Sequence, residues 1–522
     1  LALAVIIGVP FLLRPKQNQL AQADDSLVII TPNNEAIRFE FTRAFSEYYQ
    51  KKTGRTIRID WRLAGGTSDI TMYINSQFFA AFQNSWQSSG KAWTSEVQNA
   101  FRNSSIKLPE NSSNDNPAQA ARRAFLASNA GIGIDLFFGG GSYDFNKQAN
   151  MGQLVDSGLI AKLPEVFSPD SIPEYVSGGI FYDPLGRWLG TCVSSFGICY
   201  NTDSIRRLGV ATPTQWNNLS NPLFKQQVAL ADPTKSGSAC KAFEMILQQQ
   251  MQMRVADNNI PVNEAVAQGW YIGFQLIQKI AANARYFTDS GTQVPMDVSQ
   301  GNAAIGMCID FYGRFQSEAV AQPDGFSRLQ YFTPKGGSSI DVDPIGLLRG
   351  AAHRDAALLF MDFVLSMEGQ KLWNFKVGTP GGPTIYALRR LPVRKELYAP
   401  EFTHYRSDPT VDPYADAKDF TYHEEWTAPV FNVIAFVVRV MCMDTSDELQ
   451  TAWQALITAN FPPKATACFS DLSVVTYAIA TSTIRDTLKS SDKIKELQLA
   501  TELGNHFRAQ YRQATELARK GE

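Results

Sequence analysis

Short segments rich in glycine, serine and threonine are the residues of this sequence best suited to binding chemistry. They border apolar runs at five places, residues 31–35, 65–68, 139–143, 234–238 and 310–314. Small residues at a helix start leave backbone N–H groups unpaired, and neighbouring hydroxyls add further donors. Such donors suit a polar, anionic ligand. Each segment alone is also an ordinary helix start, since Ser, Thr and Asp are preferred caps.

The candidate ligand-binding residues all come from these five segments. They are Asn34, Glu35, Gly66, Thr67, Ser68, Gly140, Gly141, Ser142, Tyr143, Ser236, Gly237, Ser238, Asp310, Tyr312 and Arg314. Arg314 has two interpretations, an ion-pair partner for the ligand or a salt bridge behind the site. Tyr143 and Tyr312 either line the binding pocket or pack in the protein interior.

Sequence motifs of the common enzyme classes do not occur. FGGGSYD lacks the spacing of a dinucleotide-binding loop, TKSGS is not a nucleotide P-loop, and HEEW lacks the second histidine of a zinc protease motif. Cys240 lies at a predicted helix start, which can lower the pKa of a thiol, although a small buried cysteine is the commoner role. The four histidines lie far from it in sequence; they are His353, His404, His423 and His506. We therefore predict a protein that is not an enzyme and that needs neither a cofactor nor a resident metal.

The elements that position these segments follow the rhythm of a parallel α/β sheet. SLVIITP (26–32), TIRIDWRLA (56–64) and GIGIDLFFGGG (131–141) are predicted strands, with amphipathic helices between them. Ligands bind at the carboxyl ends of strands in such sheets, which is where the polar segments lie. From residue 188 a long extended run, WLGTCVSSFGICYNT, opens a second α/β block, and residues 329–350 form an extended return. The tail, 385–522, is predicted to pack as an added helical layer.

Composition and charge narrow the functional classes. A chain of 522 residues is long enough for two or three domains. Its net charge of −2 gives no long-range attraction to nucleic acid. Six cysteines are too few for a disulfide scaffold. Cys442 with Cys468 is a more plausible pair than Cys192 with Cys199, which share one extended run.

The first residues are predicted to form an export signal or a membrane anchor rather than a buried core helix. LALAVIIGVPFLL (1–13) is apolar and is followed by Arg14, Pro15 and Lys16. Extended upstream by a few apolar residues, it would be an export signal or a single membrane anchor. Residues 21–23, Ala-Gln-Ala, resemble a small-x-small cleavage site. The stretch between the apolar run and this possible cleavage site is longer than usual, so an uncleaved anchor is an alternative. Residues 1–25 are assigned to the signal or anchor plus a spacer.

Six segments, in their order, resemble the bacterial extracellular solute-binding proteins of ABC importers. The closest branch is the group that binds ferric ion, phosphonates and sugar phosphates. The segments are LVIITPNNEAIRFEFTRAF, IDLFFGGGSYDF, WLGTCVSSFGICYN, VALADPTKSGSA, QGNAAIGMCIDFYGRF and the helix around LLFMDFVLSMEGQKLW, all between residues 26 and 380. The resemblance rests on this order rather than on any one motif.

The resemblance implies a type II periplasmic-binding fold, an α/β fold of two lobes joined by crossing strands. It implies lobe 1 at 26–190, lobe 2 at 191–328, a return to lobe 1 at 329–384 and a helix-rich C-terminal extension at 385–522. The implied function is capture of a small anionic ligand between the lobes and its delivery to an ABC permease. A monomer in the periplasm, or on the outer face of the cytoplasmic membrane, is expected.

One departure from the ferric-binding pattern favours an organic anion or phosphorylated polyol. Ferric members carry a histidine after the first strand and a Tyr-Tyr pair before the return. Here Asn34 lies near the histidine position and the pair is Phe311-Tyr312, so two hard donors are missing. Asp310 and Tyr312 would hold the metal in a ferric carrier, which is one alternative. An exported hydrolase on the same two-lobe scaffold is the alternative from a different functional class.

Overall fold

The computed structural model describes residues 23–257, 260–490 and 492–522. Of residues 1–25, predicted as the signal or anchor plus a spacer, residues 1–22 lie outside the described residues.

The first α/β block is built on short strands with helices packed against them. Its strands are β1 (Asp25–Ile30), β2 (Ile57–Arg62), β3 (Leu136–Phe138), β4 (Leu154–Val155) and the small hairpin β5 (Tyr175–Val176) and β6 (Gly179–Ile180). Its helices are α1 (Glu35–Thr53), α2 (Thr67–Ser88), α3 (Ser95–Ala100), α4 (Pro117–Ala127), α5 (Ser142–Met151) and α6 (Leu159–Lys162).

The second block begins with a long strand, as the extended run at 188 predicts. Its strands are β7 (Leu189–Asn201), β8 (Val228–Ala231), β9 (Ala284–Thr288), β10 (Ile305–Ile309), β11 (Leu329–Phe332) and β12 (Ile340–Leu348). Its helices are α7 (Thr202–Leu208), α8 (Gly237–Ala256), α9 (Val262–Ala282), α10 (Gln293–Gln300) and α11 (Asp310–Ala319).

The rest of the chain is largely helical, except for residues 375–412, which are mostly turns and loops. Two helices follow the return strand, α12 (Arg354–Leu365) and α13 (Met367–Asn374). The extension contains β13 (Leu391–Pro392) and then α14 (Pro413–Asp416), α15 (Glu424–Thr427), α16 (Phe431–Val438), α17 (Ser446–Thr458), α18 (Pro463–Phe469), α19 (Tyr477–Ile479), α20 (Arg485–Lys489) and α21 (Lys493–Lys520).

Within the described residues, the strands other than the β5–β6 hairpin form one continuous sheet that passes through both blocks. Its order is β2-β1-β3-β12-β7-β10-β8-β9, with β1 parallel to β2 and β3. The first half of β7 pairs antiparallel with β12, and its second half pairs with β10. Beyond β10, strands β8 and β9 are again parallel. β7 and β12 are therefore the crossing strands between two lobes, and the carboxyl ends of the parallel strands in each lobe carry the polar segments.

Two separate apolar cores define the lobes. The lobe 1 core packs side chains such as Phe41, Phe138 and Trp373 around β1 and β3. The lobe 2 core surrounds α8 and α9, and it includes Trp270. Separate apolar cores make each lobe a unit that can move as a rigid body on the strands between them.

The extension is divided between these two cores. Leu388, Leu391 and Val393 belong to the lobe 1 core, whereas residues from Phe420 to Ala518 belong to the lobe 2 core. Lobe 2 is thus enlarged by the helices that the sequence predicts as an added layer. Two stretches, Glu424–Met443 and Pro463–Lys489, are apolar and long enough to span a membrane, and 67% of the first is buried within the fold.

All six cysteines are free thiols. Neither pairing considered from the sequence is present: the Cys468 thiol faces the Gln510 carbonyl at 3.7 Å, and Cys442 is fully buried in the lobe 2 core. Cys192 and Cys199 lie on one extended strand, β7, which keeps their Cα atoms too far apart for a disulfide.

Candidate ligand-binding site

The lobe 1 corner of the site is formed by two glycine turns in contact. Gly139 and Gly140 have φ of 91° and 120°, values that favour glycine, and they lead from β3 into α5. A Cβ atom on Gly140 would lie 2.7 Å from Cγ2 of Thr67, the first residue of α2. Only glycine at this position lets the two turns approach so closely. The starts of α2 and α5 are therefore side by side.

Both of these helix starts lack a capping side chain. The N-cap residues are Gly66 for α2 and Gly141 for α5, and neither has a side chain that could accept a hydrogen bond from a first-turn N–H group. Asp69 accepts the Gly66 N–H at 3.0 Å, which fixes the turn before α2. The first-turn N–H groups of a helix need partners, and together they carry a partial positive charge. An anion placed between the two helices would satisfy them.

The lobe 2 corner brings two serines and a tyrosine to one space. Ser236 caps α8, its Oγ accepting the Ala239 N–H at 3.3 Å, and it lies 3.2 Å from the Ser238 Oγ. A Cβ atom on Gly291 would lie 3.2 and 3.3 Å from these hydroxyls and 4.0 Å from Cε2 of Tyr312. The predicted residues Ser236, Ser238 and Tyr312 therefore meet, around a glycine that the sequence analysis did not select.

The two corners face each other across the junction of the lobes. A Cβ atom on Gly66 would lie 3.9 Å from the Lys235 carbonyl oxygen, so the turn before α2 touches the turn before α8. Three helix starts, two from lobe 1 and one from lobe 2, thus converge. We call the space between them the candidate cleft.

The crossing strand β12 contributes an acidic residue to the same region. Asp341 Oδ1 accepts the Ser142 hydroxyl at 2.9 Å, and its Oδ2 lies 3.8 Å from Lys241 Nζ on α8. Lys241 also pairs with Glu244 at 2.8 Å. Burial alone would lower the pKa of Lys241, but the nearby carboxylates outweigh it and raise that pKa. Lys241 therefore stays charged, with its charge shared by two carboxylates.

Asp310 and Arg314 are placed behind the candidate cleft rather than in it. Arg314 Nη2 lies 2.7 Å from Asp310 Oδ2, and Arg314 Nε lies 3.6 Å from Asp408 Oδ1 in the extension. Asp310 is fully buried and Arg314 nearly so. The second interpretation of Arg314, a salt bridge behind the site, is what the structure shows. These ion pairs disfavour Asp310 and Arg314 as ligand contacts, because each already has a partner of opposite charge within the protein.

Asn34 and Glu35 lie at the start of α1. The Asn34 Oδ1 accepts the Ile37 N–H at 3.1 Å, an ordinary helix cap for α1, and Glu35 is exposed in its first turn. The preceding residue, Asn33, is buried and lies against the turn instead, 2.8 Å from the Cβ position of Gly139. The sequence-based prediction named Asn34 and omitted Asn33, because the position of the neighbouring turn depends on the tertiary structure.

Tyr143 packs against the extension. Its ring centroid lies 5.0 Å from that of Phe431, and burial raises the pKa of Tyr143 to about 12. The Phe431 carbonyl accepts the Cys240 thiol of α8 at 3.5 Å. Phe431 thus fills one flank of the site, between a turn of lobe 1 and a helix of lobe 2. Burial raises the pKa of Cys240, so the low pKa considered from the sequence was wrong.

Tyr422, in the extension, also contacts both lobes. The Tyr422 N–H donates to the Ser177 carbonyl of lobe 1 at 2.7 Å. Its hydroxyl donates to Glu244 of lobe 2 at 2.8 Å. Lys241 Nζ lies 4.0 Å from the centre of the Tyr422 ring. We call this set of contacts the Tyr422 bridge.

Within the described residues, no three His, Cys, Asp or Glu side chains are grouped as a metal site.

Comparison with known proteins gives the fold and shows which family part of the chain resembles. Residues 130–387 match the sequence profile of the family described as bacterial extracellular solute-binding protein. The periplasmic binding protein AfuA from Actinobacillus pleuropneumoniae, solved with exogenous fructose-6-phosphate bound, aligns with a TM-score of 0.51 at 16% identity, over 80% of this chain and 99% of that one. The predicted type II periplasmic-binding fold, with a helical C-terminal segment added, is confirmed.

Two curated relatives are similar over part of their length. An uncharacterized protein of Haemophilus influenzae is 28% identical over 244 residues, which are 46% of this chain and 60% of that protein. The phosphoglycerate transport regulatory protein PgtC of Salmonella typhimurium is 20% identical over 185 residues, which are 35% of this chain and 40% of that protein. The chain thus matches less than two thirds of either relative.

Proposed function

We propose that the chain is the extracytoplasmic solute-binding component of an ABC importer. Residues 130–387 match the profile of the bacterial extracellular solute-binding proteins, which supports this proposal. The chain captures a small anionic ligand in the candidate cleft and delivers it to a membrane permease. The protein works in the periplasm or on the outer face of the cytoplasmic membrane. Binding, not turnover, is its role at this site.

The observation that carries the proposal is the convergence of three helix starts from both lobes. A ligand held by N–H groups of α2, α5 and α8 contacts both lobes only when they are together, so it stabilises the closed state. The hydroxyls of Thr67, Ser236 and Ser238 add donors that fit phosphate or carboxylate oxygens. Lys241 is neutralised by Glu244 and Asp341, so neutral donors supply the recognition.

A phosphorylated organic anion is the favoured ligand class. Helix starts without side-chain caps suit a tetrahedral anion, which accepts several N–H bonds at once. The relative PgtC is described as a phosphoglycerate transport regulatory protein, and AfuA was solved with fructose-6-phosphate. Both descriptions agree with the chemistry of the cleft. The ferric alternative is disfavoured, because one of its two proposed ligands, Asp310, is buried against Arg314.

Thermal denaturation with a ligand panel tests this proposal. The panel contains fructose-6-phosphate, 3-phosphoglycerate, methylphosphonate, citrate and ferric citrate. A phosphorylated compound at 100 times its Kd should add about 2.7 kcal/mol to the free energy of unfolding and raise Tm. Failure of every anion to raise Tm would contradict the proposal. Stabilisation by ferric citrate alone, with a visible tyrosinate colour, would favour the ferric carrier.

A double variant tests the lobe 2 corner. Ser236→Ala/Ser238→Ala removes two hydroxyls that face the cleft, and we expect the Kd for the stabilising anion to rise about tenfold to a hundredfold. Ser366→Ala is the matched control, since Ser366 caps α13 by accepting the Gly369 N–H at 3.2 Å. The control should lose stability without losing affinity. Equal affinity in the double variant and the parent would remove this corner from the site.

A further inference from the structure

Three side chains far apart in sequence form a hydrogen-bonded chain at the base of lobe 1. Ser26 Oγ lies 2.9 Å from His353 Nε2, and His353 Nδ1 lies 2.9 Å from Asp135 Oδ2. No sequence motif indicates this set, because the three residues lie far apart along the chain. The fold brings His353, just before α12, beside the first residues of β1 and the residue before β3.

The Asp135 carboxylate is held rigidly. It is buried, its Oδ1 accepts the backbone N–H of His353, and its Oδ2 accepts the Val28 N–H, both at 2.9 Å. An ionised carboxylate only accepts hydrogen bonds, so the proton of the neutral imidazole is on Nδ1. Nε2 is then left with a lone pair that accepts the Ser26 hydroxyl. This is the tautomer in which a histidine acts as a base toward a serine.

The serine and the histidine are within reach of solvent. The His353 side chain is 39% exposed and Ser26 is half-buried. They lie at the amino end of β1, whereas the candidate cleft lies at the carboxyl ends of the strands. The neighbouring acid, Asp25, is paired with Arg55 at 2.6 Å and accepts the Tyr49 hydroxyl at 2.9 Å. Asp25 therefore has its own partners and is not a member of the hydrogen-bonded chain.

We propose that Ser26, His353 and Asp135 form a second site, in which Ser26 is a nucleophile toward small activated esters. Ser26 Oγ attacks the acyl carbon while its proton passes to His353 Nε2. The alcohol of the ester leaves with that proton, and an acyl group stays on Ser26. Water then attacks the acyl carbon and gives a proton to His353. The bond between the acyl carbon and Ser26 Oγ breaks, His353 returns that proton to Ser26 Oγ, and the acid is released. The site is independent of the proposed transport function.

Covalent labelling of the full chain tests the proposal. A fluorophosphonate probe forms an O–P bond with an activated serine and loses fluoride, and the serine proton passes to the base. We expect one adduct in the intact mass and peptide mapping to Ser26. His353→Gln should slow labelling about a hundredfold or more, since a positioned base contributes that much. Ser26→Ala should abolish the adduct.

Controls separate reactivity from a purely structural role. Ser128→Ala changes another half-buried serine, whose hydroxyl donates to the Phe125 carbonyl at 2.8 Å, and it should label like the parent. Each variant is first checked for an unchanged Tm. An adduct absent from Ser26 in the parent, or labelling of His353→Gln at the parent rate, would overturn the proposal and leave the three side chains as a structural tie between β1, β3 and α12.

Discussion

At the scale of single residues, the protein neutralises most of the charge around its candidate cleft. Lys241 is shared by Glu244 and Asp341, and Arg314 is shared by Asp310 and Asp408. Buried charges are tolerated only when they are paired in this way. A ligand bound here would therefore meet neutral N–H and O–H donors, and selectivity would depend on their positions.

The buried carboxylate of Asp144, near the cleft, should make the stability of the protein depend on pH. It lies in the first turn of α5, where burial raises its pKa to about 6 although Lys147 opposes the shift. An unfolded aspartate has a pKa of about 3.9. Between these values the folded protein binds more protons than the unfolded chain, so stability falls as pH rises through that window and the penalty is complete above about pH 6.

Replacing Asp144 should remove that penalty. We expect Asp144→Asn to raise the free energy of unfolding by about 2 kcal/mol at pH 8 and to change it little at pH 4. Urea unfolding at the two pH values measures the difference. Asp203→Asn, at an exposed first-turn aspartate of α7, is the control and should show no such pH dependence. An equal effect of Asp144→Asn at both values would contradict the assignment.

At the scale of elements, the helix starts and the turns before them are the parts that local sequence specifies best. The strand, glycine turn and helix order predicted around 56–88 and 131–151 is present as β2 to α2 and β3 to α5. These elements depend on hydrophobic periodicity and on glycine conformation, both of which are local. The contact between the Gly140 and Thr67 turns is not local, and no sequence pattern indicated it.

Helix α1 is joined to the start of the extension by a buried carboxylate. Glu40 accepts the backbone N–H groups of Thr384, Ile385 and Tyr386 at 2.9, 2.6 and 2.9 Å. Burial favours the neutral form of Glu40, but these donors outweigh burial and lower its pKa. The pKa of a glutamate in an unfolded chain is about 4.3, and the stabilisation from Glu40 is fully present above that pH. It is lost as the pH falls through the lower pKa of Glu40 in the folded protein.

Glu40→Gln should therefore destabilise the protein mainly at neutral pH. We expect a loss of about 2 to 3 kcal/mol at pH 7, from hydrogen bonds to a charged group, and a smaller loss at pH 3. Chemical denaturation at both values checks this. Glu47→Gln on the same helix, with a side chain 72% exposed, should change stability little. A variant as stable as the parent at pH 7 would show that the junction does not depend on the carboxylate.

At the scale of the whole molecule, the extension changes what a two-lobe clamp can do. Its first part packs on lobe 1 and its helices join the lobe 2 core, so the chain crosses between the lobes beyond the two crossing strands. The Tyr422 bridge and Phe431 both lie at this crossing. Contacts that form without ligand favour the closed arrangement of the lobes. A ligand then needs to contribute less binding free energy to keep the lobes closed.

Removing the Tyr422 hydroxyl should loosen the lobes in the absence of ligand. Tyr422→Phe loses a hydrogen bond to Glu244, worth about 1.5 to 3 kcal/mol. Spin labels at Gln87→Cys in lobe 1 and Asn217→Cys in lobe 2, in a Cys468→Ser background, report the separation. The parent should give one narrow distance distribution, and the variant a broader one with longer distances.

The matched control is Tyr271→Phe, whose hydroxyl donates to the Ser470 carbonyl at 3.3 Å within lobe 2. Its distance distribution should match that of the parent. If Tyr422→Phe also matched the parent, the bridge would have no role in lobe separation.

The sequence by itself determined the α/β elements, the turns at their ends and the resemblance to a two-lobe binding fold. Each of these follows from periodicity, glycine positions or segment order along the chain. Only the tertiary structure decided that Arg314 pairs with Asp310 and Asp408, that Asn33 rather than Asn34 faces the turn, and that the extension completes the lobe 2 core. These depend on contacts between residues that local sequence does not relate, and so does the meeting of Ser26, His353 and Asp135.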